Sequence, residues 1–157
     1  MHAMELKITS LIHENFSIIL TYAFSQVPLS QLREEKFLGE WKYWDKMCFE
    51  VSRIRANRAA LELATHLRVL DEEEKIGEYL KTIKHEGLGD LEKKNGQVEK
   101  LDFRKVTNKI MHSKGFDWDF SDLKNPKLIC MPTDEDQWIK AEISILALGR
   151  VCGMLMS

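Results

Sequence analysis

Residues 40–70 are the stretch that most constrains how this chain can fold. The stretch contains neither proline nor glycine, and its apolar residues recur at helical spacing. As one helix it would be about 46 Å long at 1.5 Å per residue, enough to cross a domain of ordinary size. Its apolar residues also lie on more than one side of the helix, which indicates several packing neighbours. We therefore expect residues 40–70 to form the central helix of the fold.

A polar strip interrupts the apolar surface of this predicted central helix. Its members are Arg55, Arg58, Glu62 and His66. At about 100° per residue they fall within about 80° of the helix circumference. Two arginines on one strip can bind a phosphate, with Glu62 setting their orientation and His66 supporting them. The alternative is structural, because residues four apart, such as Arg58 and Glu62, can pair on any helix.

Length and composition predict one globular domain covering residues 1–157. The chain is 44% hydrophobic and 31% charged, which is typical of a folded protein rather than a disordered one. A net charge of −2 argues against constitutive binding to duplex DNA, where affinity depends on neutralising phosphates. The longest apolar run, residues 16–24, is far shorter than the ~20 residues needed to span a bilayer. We expect a protein that does not enter membranes.

The cysteines indicate a reducing compartment. There are three of them, Cys48, Cys130 and Cys152, and no two have the close spacing of a zinc motif. An odd number of distant cysteines fits free thiols better than disulfides. The sequence therefore predicts a cytoplasmic protein with no metal and no cofactor.

Most of the remaining chain has a helical pattern. Further helices are predicted at residues 4–25, 30–37, 71–85, 102–113 and 133–155. Pro28 cannot continue a helical hydrogen-bond ladder, so the first helix is expected to end before it. Residues 88–100 are mostly polar and contain an Asn-Gly turn signal, which predicts a mobile loop.

A single β-hairpin is predicted between residues 116 and 131. Phe116, Trp118 and Phe120 alternate with aspartates, and residues 127–131 form a second short apolar run. The predicted fold class is therefore mainly α. We expect one helical bundle of about five or six helices, with a small antiparallel hairpin near residues 116–131.

A second polar strip lies on the helix predicted at residues 102–113. Arg104, Lys105, Asn108 and His112 cluster within about 100°, opposite the apolar side. Arginine and asparagine side chains can bind a phosphate, and a histidine near neutral pKa can transfer protons during cleavage of an RNA phosphodiester. Alternatively, Asn108 and His112 are hydrogen-bonding groups at a packed helix end.

The segment from Arg104 through Asn108 to His112 resembles the polar, histidine-ended helix of HEPN-type domains. Those domains are all-helical, often dimeric and nucleotide-associated, and many are ribonucleases of toxin or anti-phage systems. The resemblance covers this one helix and the general helical layout. It implies a nucleotide- or RNA-binding domain and leaves open a metal-independent ribonuclease.

The resemblance also implies roles for individual residues. His112 would be the general acid or base, with Arg104 and Asn108 on the phosphate. Arg55, Arg58 and Lys105 would add phosphate contacts.

A different class of function stays open beside this one. The chain can be a non-catalytic helical module that dimerises or binds a protein through an apolar helix face. We predict a homodimer in either case, because the helices are apolar on more sides than a monomer of this length covers. Trp41 and Trp138 are the expected large contributors to the buried area.

Overall fold

A computed structural model of the chain describes residues 7–37, 39 and 42–155. In chain order the elements are α1 (Ile8–Lys36), α2 (Lys42–Asp45), a π-helical segment (Lys46–Val51), α3 (Ser52–Glu74), α4 (Ile76–Thr82), β1 (Gly89–Lys93), β2 (Val98–Lys100), α5 (Phe103–Met111), β3 (Gly115–Asp119), β4 (Lys127–Met131), β5 (Trp138–Ser144) and α6 (Ile145–Met154). The fold is α+β, so the predicted mainly α bundle with one hairpin is wrong.

The strands form one five-stranded antiparallel sheet in the order β2-β1-β5-β4-β3. β3 and β4 do pair, with Trp118 opposite Leu128, but this pair is only one edge of the larger sheet. β5 lies at the centre between β1 and β4. One face of the sheet therefore packs on the helices, and the other carries charged side chains such as the ion-paired Lys140 and Glu142.

The mobile loop predicted at residues 88–100 is instead the β1–β2 hairpin. Leu91 pairs opposite Glu99, and Asn95 Oδ1 accepts a hydrogen bond from the backbone N–H of Gln97 at 2.9 Å in the turn. Leu91 is the only large apolar residue that β1 buries, so no alternating pattern marks this strand in the sequence. Pairing with β5, more than 40 residues later, stabilises it.

The closing helix predicted at residues 133–155 is also wrong in its first half. Trp138–Ser144 is β5, and only Ile145–Met154 is helical. Ala141 and Ile145 fit a helical spacing, yet Ala141 and Ile143 equally fit the alternation of a strand, and the sheet decides between them. Ser144 then caps α6, because its Oγ accepts a hydrogen bond from the N–H of Ala147 at 3.1 Å.

α1 does not end before Pro28 but continues through it to Lys36, so no separate helix begins at residue 30. Proline costs one intrahelical hydrogen bond, and packing elsewhere along α1 offsets that loss. Just beyond its C-terminus Phe37 stacks on Trp44, with ring centroids 4.3 Å apart. The start predicted at residue 4 lies outside the described residues.

The central helix is confirmed where the structure describes it. α2, the π-helical segment and α3 follow one another without a break, because Asp45, Val51 and Ser52 keep right-handed helical backbone angles. α3 packs against both α1 and α5. Lys75, with φ of 53°, ends it and leads into α4. Glu40 and Trp41 lie outside the described residues.

The helix predicted at residues 102–113 is confirmed as α5. Asp102 caps it by accepting a hydrogen bond from the N–H of Lys105 at 2.8 Å. The core lies between the helices and the inner face of the sheet; among its fully buried side chains are Ile12, Ile19, Leu63, Leu67, Val106, Ile110, Leu128, Ile143 and Leu148. None of the described helices is both long and apolar enough to cross a membrane.

Candidate functional site

The predicted catalytic side chains lie on the outward side of α5. The helix turns Phe103, Val106, Thr107 and Ile110 into the core. Arg104, Asn108 and His112 therefore project away from it; Arg104 and His112 are exposed and Asn108 is half-buried. The backbone N–H of His112 donates to the carbonyl of Asn108 at 3.0 Å. The structure thus brings the three residues onto one exposed surface.

Lys105, a predicted phosphate ligand, is held in an ion pair. Its ammonium contacts Glu99 on β2, and Lys93 contacts the same carboxylate at 2.7 Å. Hydrogen bonds from Lys105 and then Lys93 lower the pKa of Glu99 to about 2, and the bond to Glu99 raises the pKa of Lys105. The charge of Lys105 therefore links α5 to β2.

The polar strip of the central helix lies apart from α5. Arg55, Arg58 and Glu62 are exposed, while half-buried His66 places Nδ1 3.4 Å from Asn15 Nδ2 on α1. α5 packs on α3 through its apolar side, so its own polar strip faces away. Between the two strips, no hydrogen bond or ion pair is present in the described part of the chain. They do not form one joint site.

Arg104 borders a cleft of about 300 Å³ between α4 and the start of α5. The charged side chains that line it are Lys75, Lys81, Arg104, Asp71, Glu72, Glu78 and Asp102. Asp71 and Asp102 are already used as acceptors for the backbone N–H groups of Gly77 and Lys105. Cations and carboxylates are mixed here, so the cleft has no clear preference for an anion.

Arg55 lies in a different kind of cleft, which we call the Arg55 cleft. It has about 270 Å³ between α1 and the start of α3 and is lined by Ser17, Ile18, Thr21, Tyr22, Ser25, Ser52 and Arg55. None of these described lining residues is acidic, and Arg55 has no ion pair with any described residue. Hydroxyl and guanidinium donors without a competing carboxylate suit a phosphate.

Tyr22 separates the Arg55 cleft from a larger one, the Phe120 cleft. This second cleft has about 440 Å³ and is lined by Tyr22, Gln26, Val27, Ser30, Gln31, Glu34, Phe49, Arg53 and Phe120. The Tyr22 ring meets Trp118 edge-on at 4.9 Å and Phe120 at 6.0 Å between centroids. We call the two clefts together the Tyr22 site.

Two buried polar side chains in the Tyr22 site have unused hydrogen-bonding capacity. Tyr22 and Gln26 are 6% and 5% exposed. Gln26 Nε2 donates to the Cys48 carbonyl at 3.1 Å, but no described residue hydrogen-bonds to Gln26 Oε1 or to the Tyr22 hydroxyl. Burial raises the pKa of Tyr22, with Arg53 opposing and Asp117 adding to the shift. The hydroxyl therefore stays protonated at neutral pH.

The wall of the Phe120 cleft includes the π-helical segment. Its Cys48 carbonyl accepts hydrogen bonds from both Gln26 Nε2 and Ser52 Oγ. Arg53 is fixed beside it by an ion pair with Asp117 at 2.9 Å. π-Helical turns within α-helices occur frequently at functional sites.

Sequence reasoning found Arg55 but missed the rest of the Tyr22 site. Tyr22 and Gln26 are four residues apart on the apolar side of α1, and polar groups at such positions are a signal for a buried site. Phe49, Arg53 and Phe120 carried no comparable signal. Only their packing brings them to α1.

No protein-family model matches the chain, and neither a curated protein nor a solved structure matches it. The all-helical fold that the HEPN resemblance implies differs from the five-stranded α+β fold found here. Within the described residues, no group of three or more histidine, cysteine or acidic side chains could hold a metal ion.

Proposed function

We propose that this protein binds a nucleotide unit at the Tyr22 site, either as a free nucleotide or within single-stranded RNA. One observation carries the proposal. Tyr22, buried and with no hydrogen bond from its hydroxyl to a described residue, lies between an aromatic cleft and a cleft of hydroxyls and Arg55. A nucleotide unit combines the two chemistries that these clefts accept.

The Phe120 cleft suits a nucleobase. Bases that are not paired in a duplex stack on aromatic side chains, and Phe49 and Phe120 offer two of them. The polar edge of a base carries N–H donors, which Gln26 Oε1 can accept. The cleft volume of about 440 Å³ also falls within the usual range of small-ligand pockets.

The Arg55 cleft suits the phosphate. Arg55 supplies two parallel N–H donors to phosphate oxygens, and Ser17, Thr21 and Ser52 supply hydroxyls. The Tyr22 hydroxyl, protonated at neutral pH, is a further donor between the two clefts. In this proposal Arg55 keeps the phosphate-binding role predicted from the sequence, with α1 rather than α5 as its partner.

The proposal concerns binding and does not include catalysis. His112 does not line either cleft of the Tyr22 site, so binding there does not involve it. The metal-independent ribonuclease implied by the HEPN resemblance stays a separate prediction.

The binding test compares free nucleotides with RNA. Affinities of UMP and AMP are measured by calorimetry, and those of labelled ten-residue U and A RNAs by fluorescence anisotropy. Phe120→Leu should weaken binding by roughly five- to 150-fold, because one base–aromatic stack contributes about 1–3 kcal/mol. Arg55→Gln should weaken binding to RNA. It should also make the slope of log affinity against log salt concentration less steep, by the amount expected for about one lost phosphate contact.

Two control variants distinguish binding at the Tyr22 site from binding elsewhere on the protein. Phe116→Leu changes the same residue type four positions before Phe120, on β3 and outside the clefts, and Arg104→Gln removes the arginine that the sequence favoured on α5. Both should bind like the wild type. Loss of binding in Arg104→Gln but not in Arg55→Gln would move the site to α5, and wild-type protein that binds none of the four ligands would remove the proposal.

A further inference from the structure

α3 presents an apolar stripe to solvent on the side opposite its buried face. We call it the outer stripe; it consists of Ile54, Arg58, Leu61, Thr65 and Val69 of α3, together with Val51 at the end of the π-helical segment. Ile54 is 60% and Leu61 is 45% exposed. Single exposed apolar residues are ordinary. Here, however, the residues of the stripe are three or four positions apart in the sequence, which is the spacing of a helix–helix contact.

We propose that the outer stripe is the contact surface of an antiparallel homodimer. The occupant is a second copy of α3. In an antiparallel pair related by a two-fold axis, residues equally far from the axis face each other. Val51 and Val69 are both nine residues from position 60, so an axis there places each against the other in the second copy.

The same axis also pairs opposite charges. Arg58 and Glu62 are each two residues from position 60, so Arg58 of one copy faces Glu62 of the other, twice. Both side chains are exposed, and neither has an ion pair with any described residue in the single chain. One placement of the axis therefore pairs Val51 with Val69 at the two ends of the stripe and Arg58 with the adjacent Glu62 near its middle.

A parallel pair would lack this complementarity. It would bring Arg58 beside Arg58 and Glu62 beside Glu62, and like charges in close contact are unfavourable. The orientation of the two helices is thus selected by charge, while Val51 and Val69 face each other and the exposed Ile54 and Leu61 are covered between them.

The outer stripe is small for a dimer interface. A helix of 23 residues is about 34 Å long. With a contact strip on the order of 10 Å wide, each copy buries roughly 340 Å², well below the ~800 Å² per partner of a standard interface. We therefore expect a weak dimer that forms reversibly as the protein concentration rises. Trp138, expected from the sequence to contribute, is instead buried within the chain beneath Lys109, and Trp41 lies outside the described residues.

Sedimentation velocity on the full chain, from about 5 to 500 µM, tests the proposal, because a weak and reversible dimer becomes populated only as concentration rises through such a range. The wild type should shift from monomer to dimer as concentration rises. Leu61→Glu should remain monomeric throughout. Tyr79→Glu, an exposed residue on α4 away from the stripe, is the matched control and should dimerise like the wild type.

Charge exchange tests the antiparallel pairing itself. Arg58→Glu and Glu62→Arg should each raise the dissociation constant at least about tenfold, because each places like charges together. The double variant Arg58→Glu with Glu62→Arg should recover an affinity within about threefold of the wild type. Circular dichroism on every variant verifies the fold, which exposed substitutions should not alter.

Three results would overturn the proposal. They are a wild-type monomer at the highest concentration, a dimer that Leu61→Glu leaves unchanged, and a double charge exchange that fails to recover association. The first two would remove the outer stripe as an interface, and the third would remove the antiparallel arrangement.

Discussion

Asn57 on α3 accepts a hydrogen bond from the indole Nε1 of Trp118 on β3, at 2.9 Å. Together with the Arg53–Asp117 ion pair, this bond joins the helical layer to the edge of the sheet. Trp118 is buried, and its ring is also the one that meets Tyr22 edge-on. The bond therefore helps to fix the wall of the Tyr22 site.

Replacing Asn57 with alanine should destabilise the fold. Trp118 Nε1 would lose its acceptor in a buried position, at a cost of about 1–3 kcal/mol. For a chain of this length each kcal/mol lowers the melting temperature by roughly 2–4 °C. Thermal denaturation followed by circular dichroism measures the change. Asn57→Asp, which keeps a hydrogen-bond acceptor, should lower the melting temperature less than Asn57→Ala does. An unchanged melting temperature in Asn57→Ala would contradict the prediction.

Gly89→Ala should disrupt the pairing of β1 with β5. A Cβ at this position would lie 2.1 Å from the carbonyl oxygen of Glu142, which belongs to the paired backbone of β5 and cannot move away alone. We expect a loss of about 3 kcal/mol in the free energy of unfolding. Gly87→Ala is the control, since nothing lies within 4 Å of its Cβ position. Equal urea midpoints for the two variants would refute the assignment of β1 beside β5.

Stability should fall in acid partly through Glu99. Its pKa in the folded protein is lowered to about 2 by Lys105 and Lys93. The stabilisation is therefore present above the unfolded-state pKa of about 4.3 and is lost as the pH falls towards 2. Glu99→Gln should lower the urea midpoint at neutral pH and flatten its dependence on pH below about 4.5. Glu73→Gln, an exposed change on α3, should reproduce the wild-type profile.

Thiol reactivity should distinguish the three cysteines. Burial raises the pKa of Cys130 and of Cys152 to about 12, so both thiols stay protonated and inaccessible. Half-buried Cys48 has a smaller upward pKa shift, caused by burial and by Asp45. At pH 8 an aromatic disulfide reagent should modify Cys48 alone in the native protein and all three thiols after denaturation. If the folded Cys48→Ser variant were still modified by the reagent, the predicted selectivity for Cys48 would be wrong.

His112→Ala should leave the melting temperature within about 1–2 °C of the wild type, because the side chain is exposed and makes no hydrogen bond to a described residue. The same variant tests the ribonuclease prediction. If the wild type cleaves RNA in the presence of a chelator and His112→Ala does not, the catalytic role is supported. A wild type without such activity would remove it, with no bearing on binding at the Tyr22 site.

The sequence by itself determined the helices whose apolar side is continuous. α3 was predicted because apolar residues such as Leu63 and Leu67 recur at the helical period, and α5 because Val106 and Ile110 do the same. This periodicity is a local property of the sequence. The β3–β4 pairing was likewise visible in the alternation around Trp118. Of the candidate site, Arg55 was predicted to be a phosphate ligand from its strip on the central helix, and this stays a prediction. Each of these features depends on residues close together in the chain.

The tertiary structure alone decided the sheet and most of the site. β1 and β5 meet where Leu91 pairs with Ala141, 50 positions later, through backbone hydrogen bonds that no side-chain pattern records. In the same way, Tyr22 and Gln26 look like interior residues of an amphipathic helix until Phe120 and the π-helical segment pack beside them. Whether a buried polar group keeps a free hydrogen-bonding position depends on which distant groups reach it, and that is settled only when the whole chain is folded.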